Sequence, residues 1–510
     1  MSDTGSSPTS TTGAAPGGGL RRSLSVWQAV GLSVALMAPS MAANINPQQT
    51  ATTVGRAVPL AFLLAAVAVL LVAYGFVRLC QYFDHAGSVY AFVGATLGPR
   101  AGVVAGLGLL GTYTFYSVVT ASAAGIFGTA FLEAIGVWPH PPVWGPFVLA
   151  GVALVLAWLL TVAPVRRGTN VLLTVEGATV ALILVITVIA VVRLAGGTAP
   201  DGHAFTLSVF APQPGTPTSA LFLGVVFGFL SFAGFEAAAT LGEEAARPRR
   251  DIPRAILGTA VFGGLYFVVV TAVEVMAFGA DKAGVAAFTN SPSLIGDIGS
   301  SYVGAWVGDL ITLGAGISAF GCCLACVVGG SRLLYALARD VTGGRRGPGR
   351  VSRAGTPATA ASLVGCAAAL IIVVGARAFG AAPTDTFAWS GTIGTLILLV
   401  AYVLTTIGAI LLVFVRRRMP VPRWQVVIPL AALVLLGYTL YRNVIPYPPS
   451  GAERWFPVVA GGWLALALVL VLAAPRTARR LGVALAEAEH IRAGGGAGDA
   501  GESSEGAEIR

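Results

Sequence analysis

Ten stretches of this chain run for 18 to 32 residues without a single Asp, Glu, Lys or Arg: 57–77, 101–132, 143–165, 205–235, 255–273, 310–331, 357–376, 386–415, 424–441 and 455–475. Roughly 20 apolar residues cross a hydrocarbon core as a helix. Two further spans are implied near 26–50 and 169–192, which brings the expectation to about twelve transmembrane helices. The chain has 510 residues, is 56% hydrophobic and only 10% charged, and has a mean hydropathy of +0.82. A water-soluble protein of this size needs far more charge on its surface. The fold class read from the sequence is therefore an all-α integral membrane protein embedded in a lipid bilayer.

The net charge of +9 does not imply a nucleic-acid partner, because its distribution has another cause. Basic residues cluster in alternate loops, for example Arg166 and Arg167, Arg247 to Arg254, Arg339 to Arg353, and Arg416 to Arg423. The intervening loops carry few, such as Lys282, Arg377, Arg442 and Arg454. This is the positive-inside pattern. It puts both termini in the cytoplasm and the protein in the cytoplasmic membrane. Residues 1–22 are Ser, Thr, Gly and Pro rich and read as a disordered cytoplasmic tail without a signal-peptide core. Residues 481–510 read as a second cytoplasmic tail.

No enzyme signature is present. The four histidines are scattered, and no phosphate-binding loop with Lys-Ser/Thr occurs, so the sequence gives no support to drive by ATP. Cys322, Cys323 and Cys326 share one apolar span and read as small packing residues without a second ligand pair, so no metal is expected. No cofactor is implied.

Two spans are interrupted. The first carries Ala38-Pro39-Ser40-Met41 at its middle, where a proline removes a backbone hydrogen bond and crowds the preceding turn. The sixth carries Phe232-Ala233-Gly234-Phe235, with Glu236 directly after. Each is the opening helix of a five-span half. Matching interruptions in two halves point to an inverted repeat with its binding site at mid-membrane. A broken helix presents bare N–H groups and a positive dipole from one half and bare carbonyls from the other. An amino acid zwitterion fits that pair.

Three passages resemble the amino acid–polyamine–organocation family of permeases. SFAGFEAAATLGEEAARPRRDIPRAI at 231–256 is similar to that family's sixth-span break followed by Glu-Glu, a basic proline turn and Ile-Pro-Arg-Ala-Ile. SRLLYALARD at 331–340 is similar to its Arg-x-x-Tyr-Ala-x-Ala-Arg-Asp signature, and DHAGSVY at 84–90 to its Ala-Gly-x-x-Tyr loop. The resemblance covers roughly residues 25 to 480. It implies a leucine-transporter-like fold with a five-plus-five inverted repeat at 23–415, two extra C-terminal helices at 416–480, and alternating access. It departs from the pattern at Pro39-Ser40-Met41, where the family has a Gly-x-Gly carboxylate cradle. Pro39 has no N–H, so the expected carboxylate contacts move to the amides of Ser40, Met41 and Ala42.

The candidate substrate-binding residues are Ala38, Pro39, Ser40, Met41 and Ala42 at the first break and Phe232, Ala233, Gly234 and Phe235 at the second. Glu176 falls where the resemblance implies a fifth-span lysine standing in for sodium, and a carboxylate there can carry a proton. Glu176 and Glu236 are the candidates for coupling or gating, since intramembrane carboxylates are functional candidates by default. Tyr113, Tyr116, Leu230 and Ser318 are candidates for the pocket lining. Glu133, Glu274 and Asp309 read as interfacial residues near span ends. Glu243, Glu244, Arg247, Arg249, Arg250 and Arg254 read as a solvated, salt-bridged turn. The functional expectation is a secondary active importer of an amino acid or related small amine, with the proton as coupling ion and sodium as the other candidate. An exchanger, a non-transporting sensor and a passive channel are the rival readings, and the oligomeric state is not legible.

Overall fold

In the computed structural model the described residues are 26–83, 88–163, 168–241, 245, 247–342, 347–352, 356–448 and 450–488. The loop motif at 84–87, Glu243 and Glu244, and most of both tails lie outside them. The helices in chain order are α1 (Val26–Leu36), α2 (Pro39–Val54), α3 (Val58–Tyr82), α4 (Val89–Leu97), α5 (Pro99–Ala134), α6 (Gly145–Val162), α7 (Gly168–Ala195) and α8 (Leu221–Phe232). A 3-10 helix, Phe235–Leu241, follows. Then come α9 (Pro248–Phe278), α10 (Lys282–Asn290), α11 (Leu294–Tyr302), α12 (Ala305–Thr342), α13 (Ala358–Ala378), α14 (Pro383–Ile410), α15 (Val427–Arg442), α16 (Trp455–Ala473) and α17 (Pro475–Ala488).

Among the described residues, eleven stretches are helical, long and apolar enough to cross a membrane. The first, Val26–Tyr82, is 57 residues long. At 1.5 Å per residue a straight rod of that length would be about 85 Å, nearly three hydrocarbon thicknesses. It is not straight. It is interrupted between Leu36 and Pro39 and again at Gly55–Ala57, and α1 and α3 both pack on α9.

The helices sort into two groups. α1, α2, α3, α8 and α9 pack on one another, and α5 gathers α6, α12, α13 and α14 around itself. Small residues permit the close approaches. A methyl on Gly125 of α5 would overlap the Pro146 carbonyl of α6. The exterior is apolar. In Ala452–Ala473 only 17% of the most apolar window is buried, and Leu466, Leu468, Val469, Leu470 and Leu472 are exposed. A helix coated this way belongs in hydrocarbon, where it has no water to avoid. α17 continues past it along the ends of α4, α5 and α12, burying Ala478 and Leu481 while Arg476, Arg479 and Arg480 stay exposed.

Candidate functional site

Ala38 makes the first break. Its backbone is left-handed (φ 47°, ψ 56°), and Pro39 follows at the first position of α2, where its fixed φ suits a helix start and its missing N–H costs no bond. Gly234 makes the second, with φ +108° and the 3-10 helix beyond it. The sequence predicts an α-helical half after this break; the backbone winds more tightly there instead. Each break ends one helix and starts another, and the two ends meet. A Cβ on Gly234 would lie 3.1 Å from the carbonyl carbon of Leu36, the last residue of α1. Only glycine combines that φ with that approach.

The segments pair like with like across the breaks. α2 packs on α8, and α1 packs on Phe235–Leu241. Asn46 Nδ2 on α2 donates to Ser231 Oγ on α8 at 2.7 Å, and Thr50 Oγ1 donates to the Gly224 carbonyl at 3.2 Å.

The amides expected to be bare at the start of α2 are taken. The Ser40 N–H donates to Glu176 Oε1 at 3.0 Å, and the Met41 N–H to Ser318 Oγ at 3.4 Å. The Ala42 N–H closes on the Ala38 carbonyl at 2.9 Å within the helix. The physical reason is that a buried N–H without an acceptor is expensive, so α7 and α12 supply one each. A carboxylate at a helix N-terminus also meets the positive end of the dipole. On the carbonyl side, the Tyr266 hydroxyl donates to the Pro39 carbonyl at 3.3 Å, and Cys322 Sγ reaches the Leu36 carbonyl at 3.6 Å. Glu176, Ser318 and residues 38–42 therefore form one cluster. The sequence brought Glu176 and Ser318 into consideration separately; their meeting at α2 is a product of the fold.

The second break is aromatic. Phe232 and Phe235 are fully buried. Phe232 packs edge-on to Phe267 on α9, with ring centroids 5.4 Å apart. Phe235 packs edge-on to Phe76 and Tyr402, at 5.8 Å from each. Glu236 Oε2 and the Tyr402 hydroxyl are buried, and the two side chains pair with each other. Glu236, Tyr116 and Tyr113 are electrostatic neighbours of Tyr402. Tyr116 also hydrogen-bonds Thr395 Oγ1 of α14 at 2.9 Å. Tyr113 packs its ring against Gly329 and Gly330 of α12. Leu230 presses on Gly391 of α14. Of the four candidate lining residues, Ser318 lies at the first break and the two tyrosines join the Glu236 cluster, while Leu230 faces α14.

Sequence reasoning missed Tyr266, Cys322 and Tyr402, which carry no local signal. It also passed over Asn44, Asn46 and Gln48, although three amides inside a membrane span are a signal in themselves. Asn44 Oδ1 accepts bonds from Ser293 Oγ (2.9 Å) and from the amides of Ile295 (2.9 Å) and Gly296 (3.3 Å), and Gln48 donates to the Ser291 carbonyl. In the basic turn Arg247 Nε lies 3.9 Å from Asp251 Oδ2, a residue the sequence reading did not include, while Glu243 and Glu244 lie outside the described residues. Glu133 is exposed at its span end, as expected, but Glu274 is not interfacial: it is fully buried. Among the described residues no group of three His, Cys, Asp or Glu could hold a metal ion.

The family model for amino acid permeases matches residues 38–440, from the first break to near the end of α15. The chain is 28% identical over 254 residues to the low-affinity putrescine importer PlaP of Escherichia coli K12; the match spans 49% of this chain and 53% of that protein. It is 25% identical over 395 residues to the branched-chain amino acid permease BcaP of Bacillus subtilis, covering 72% of this chain and 76% of that one. It is 28% identical over 281 residues to the L-methionine/branched-chain amino acid exporter YjeH of Escherichia coli K12, covering 54% and 62%. The helical architecture, the broken helices and the family match over residues 38–440 lead to one assignment: the chain belongs to the amino acid permease family.

Proposed function

We propose that this protein is a secondary active permease of the cell membrane that imports a small amine or amino acid by alternating access, driven by a proton gradient. In this reading α1 with α2 forms one crossing and α3 the next, which gives twelve spans: two inverted repeats of five and two further C-terminal helices. The Lys/Arg bias supports cytoplasmic termini. The observation that carries the reading is the contact between the two breaks, Leu36 against Gly234, with Glu176 on one side and Glu236 on the other. Glu176 is the coupling carboxylate. Protonating it would weaken its bond to the Ser40 amide and loosen α2 from α7, so a proton biases the packing of the first break.

One feature narrows the substrate. The α2 amides that would hold a substrate carboxylate already have acceptors, and Pro39 supplies none. At the second break Glu236 is a buried carboxylate with the hydroxyls of Tyr402 and Tyr116 as its polar side-chain neighbours. That set suits an ammonium group better than a carboxylate. A small amine without a free carboxylate is thus the favoured cargo, in line with the substrate named for the putrescine importer.

The test is uptake by purified protein in proteoliposomes with an alkaline interior, comparing labelled putrescine with labelled leucine. The reading expects saturable putrescine uptake above equilibrium that a protonophore abolishes. Leucine outcompeting putrescine would overturn the amine preference. Accumulation indifferent to the protonophore would overturn proton coupling.

A further inference from the structure

Glu274 has no part in that cycle. It lies on α9, one turn before that helix ends at Phe278, and it is 0% exposed. Neither of its carboxylate oxygens has a hydrogen-bond partner. An ionised carboxylate held this way costs several kcal/mol even after the surroundings relax. A proton removes that cost, and no metal cluster among the described residues offers another way to remove it.

The end of α9 at Glu274 has a cover. α10 and α11 pack on it, and α2 holds this cover through Asn44 and Gln48. His203 Nδ1 caps the Ala277 carbonyl at 2.9 Å from the segment that precedes α8. The other end of the connection is the first break: Tyr266, eight residues before Glu274 on the same helix, donates to the Pro39 carbonyl. A shift of α2 at its break therefore pulls on α9 through Tyr266 and on the cover through Asn44.

The ionisable groups around this end are few. α1, α2 and the segment Leu207–Phe210 carry none. α7 contributes Glu176 and Arg193, α10 Lys282, α11 Asp297 and Tyr302, and the 3-10 helix Glu236; those of α3 lie between Tyr74 and Tyr82, at its opposite end. Arg193 is engaged with the carbonyls of Tyr302 and Thr198, and Asp297 accepts from Ser291 Oγ at 2.6 Å. None hydrogen-bonds to Glu274.

We propose that Glu274 is a second proton-carrying site, loaded while α10 and α11 cover α9 and discharged when that cover lifts with α2. On lifting, the carboxylic acid O–H bond breaks, the proton passes to the entering water, and the carboxylate is left hydrated. Reclosure requires the proton to return. The proposal rests on the transport reading above, and its test keeps the two apart.

Wild-type protein and Glu274→Gln are reconstituted and assayed with labelled putrescine in two ways: counterflow at equal pH on both sides, and net uptake driven by a pH gradient. The expected result is near-normal counterflow for Glu274→Gln, with gradient-driven uptake that stops at equilibration, and with coupling restored by Glu274→Asp. Thermal unfolding of the wild type is expected to move to lower temperature as pH rises, and this trend should flatten in the variant. Gradient-driven accumulation and an unfolding profile in Glu274→Gln identical to wild type would overturn the site. A wild type without counterflow of putrescine or any amino acid would instead remove the transport reading. If the variant does not fold, a hydrophobic carbodiimide applied to the wild type replaces it. Mass-detected modification at Glu274 that slows as pH rises is the expected outcome, and no modification there at any pH overturns the proposal.

Discussion

The two breaks solve the same problem in different ways. At the first, the freed backbone groups are bonded to protein: Ser40 and Met41 to Glu176 and Ser318, the Pro39 carbonyl to Tyr266. At the second, the backbone turns at one glycine between fully buried phenylalanines, and the carboxylate beside it, Glu236, pairs with the Tyr402 hydroxyl. A satisfied break is closed to a guest until something displaces its internal acceptor. In the proposed reading, coupling falls to the first break and recognition to the second.

The comparison can be broken most severely at Gly234. Gly234→Val forces a branched side chain into φ +108° and against Leu36. Backbone strain of this kind is worth roughly 1–3 kcal/mol before the steric clash is added. The expected outcome is the largest loss in thermal stability of this series together with loss of uptake, read by a thermal-shift assay and proteoliposome transport.

Next is Glu176. Glu176→Ala leaves the Ser40 N–H buried without an acceptor, a cost of about 1–3 kcal/mol. Glu176→Gln keeps an oxygen in place, so its unfolding temperature should fall less while gradient-driven accumulation is still lost. Equal stability of the two variants would mean that the Ser40 bond does not hold the first break. At the second break, Glu236→Gln keeps an oxygen for the Tyr402 hydroxyl and should change stability little. Loss of a charge-assisted bond of about 1.5–3 kcal/mol should weaken amine binding by roughly one to two orders of magnitude, measured by isothermal titration. Unchanged affinity would return Glu236 to a structural role.

The smallest effect concerns the cover over the end of α9. Burial pushes the Asp297 carboxyl above its usual range, with the Ser291 hydroxyl pulling the other way. The folded state therefore holds this proton more tightly than the unfolded chain does. Stability is highest below the ordinary Asp value of about 3.9 and declines as pH rises through the elevated folded value. Asp297→Asn removes that decline: the variant should match wild type in acid and exceed it slightly near neutral pH, in unfolding scans across that range.

Much of this was legible in the residues because the bilayer permits so few solutions. Charge-free runs of helix length have one use, and Pro39 and Gly234 interrupt two of them for reasons that need no neighbour: a missing N–H and a φ that only glycine adopts without strain. Side-chain partners were not legible, since 136 residues separate Ser40 from Glu176 and 277 separate Met41 from Ser318. The same limit hid Glu274. Its place near a span end suggested the interface, and only the packing of α10 and α11 over α9 put it inside.

Taken alone, then, the sequence determined the helices, their breaks and the family signature, because these follow from local hydropathy and backbone chemistry. Tertiary structure decided which partners each break meets. A buried polar group takes whichever partner the fold brings within 3 Å or so, and that partner comes from a helix far away in the chain.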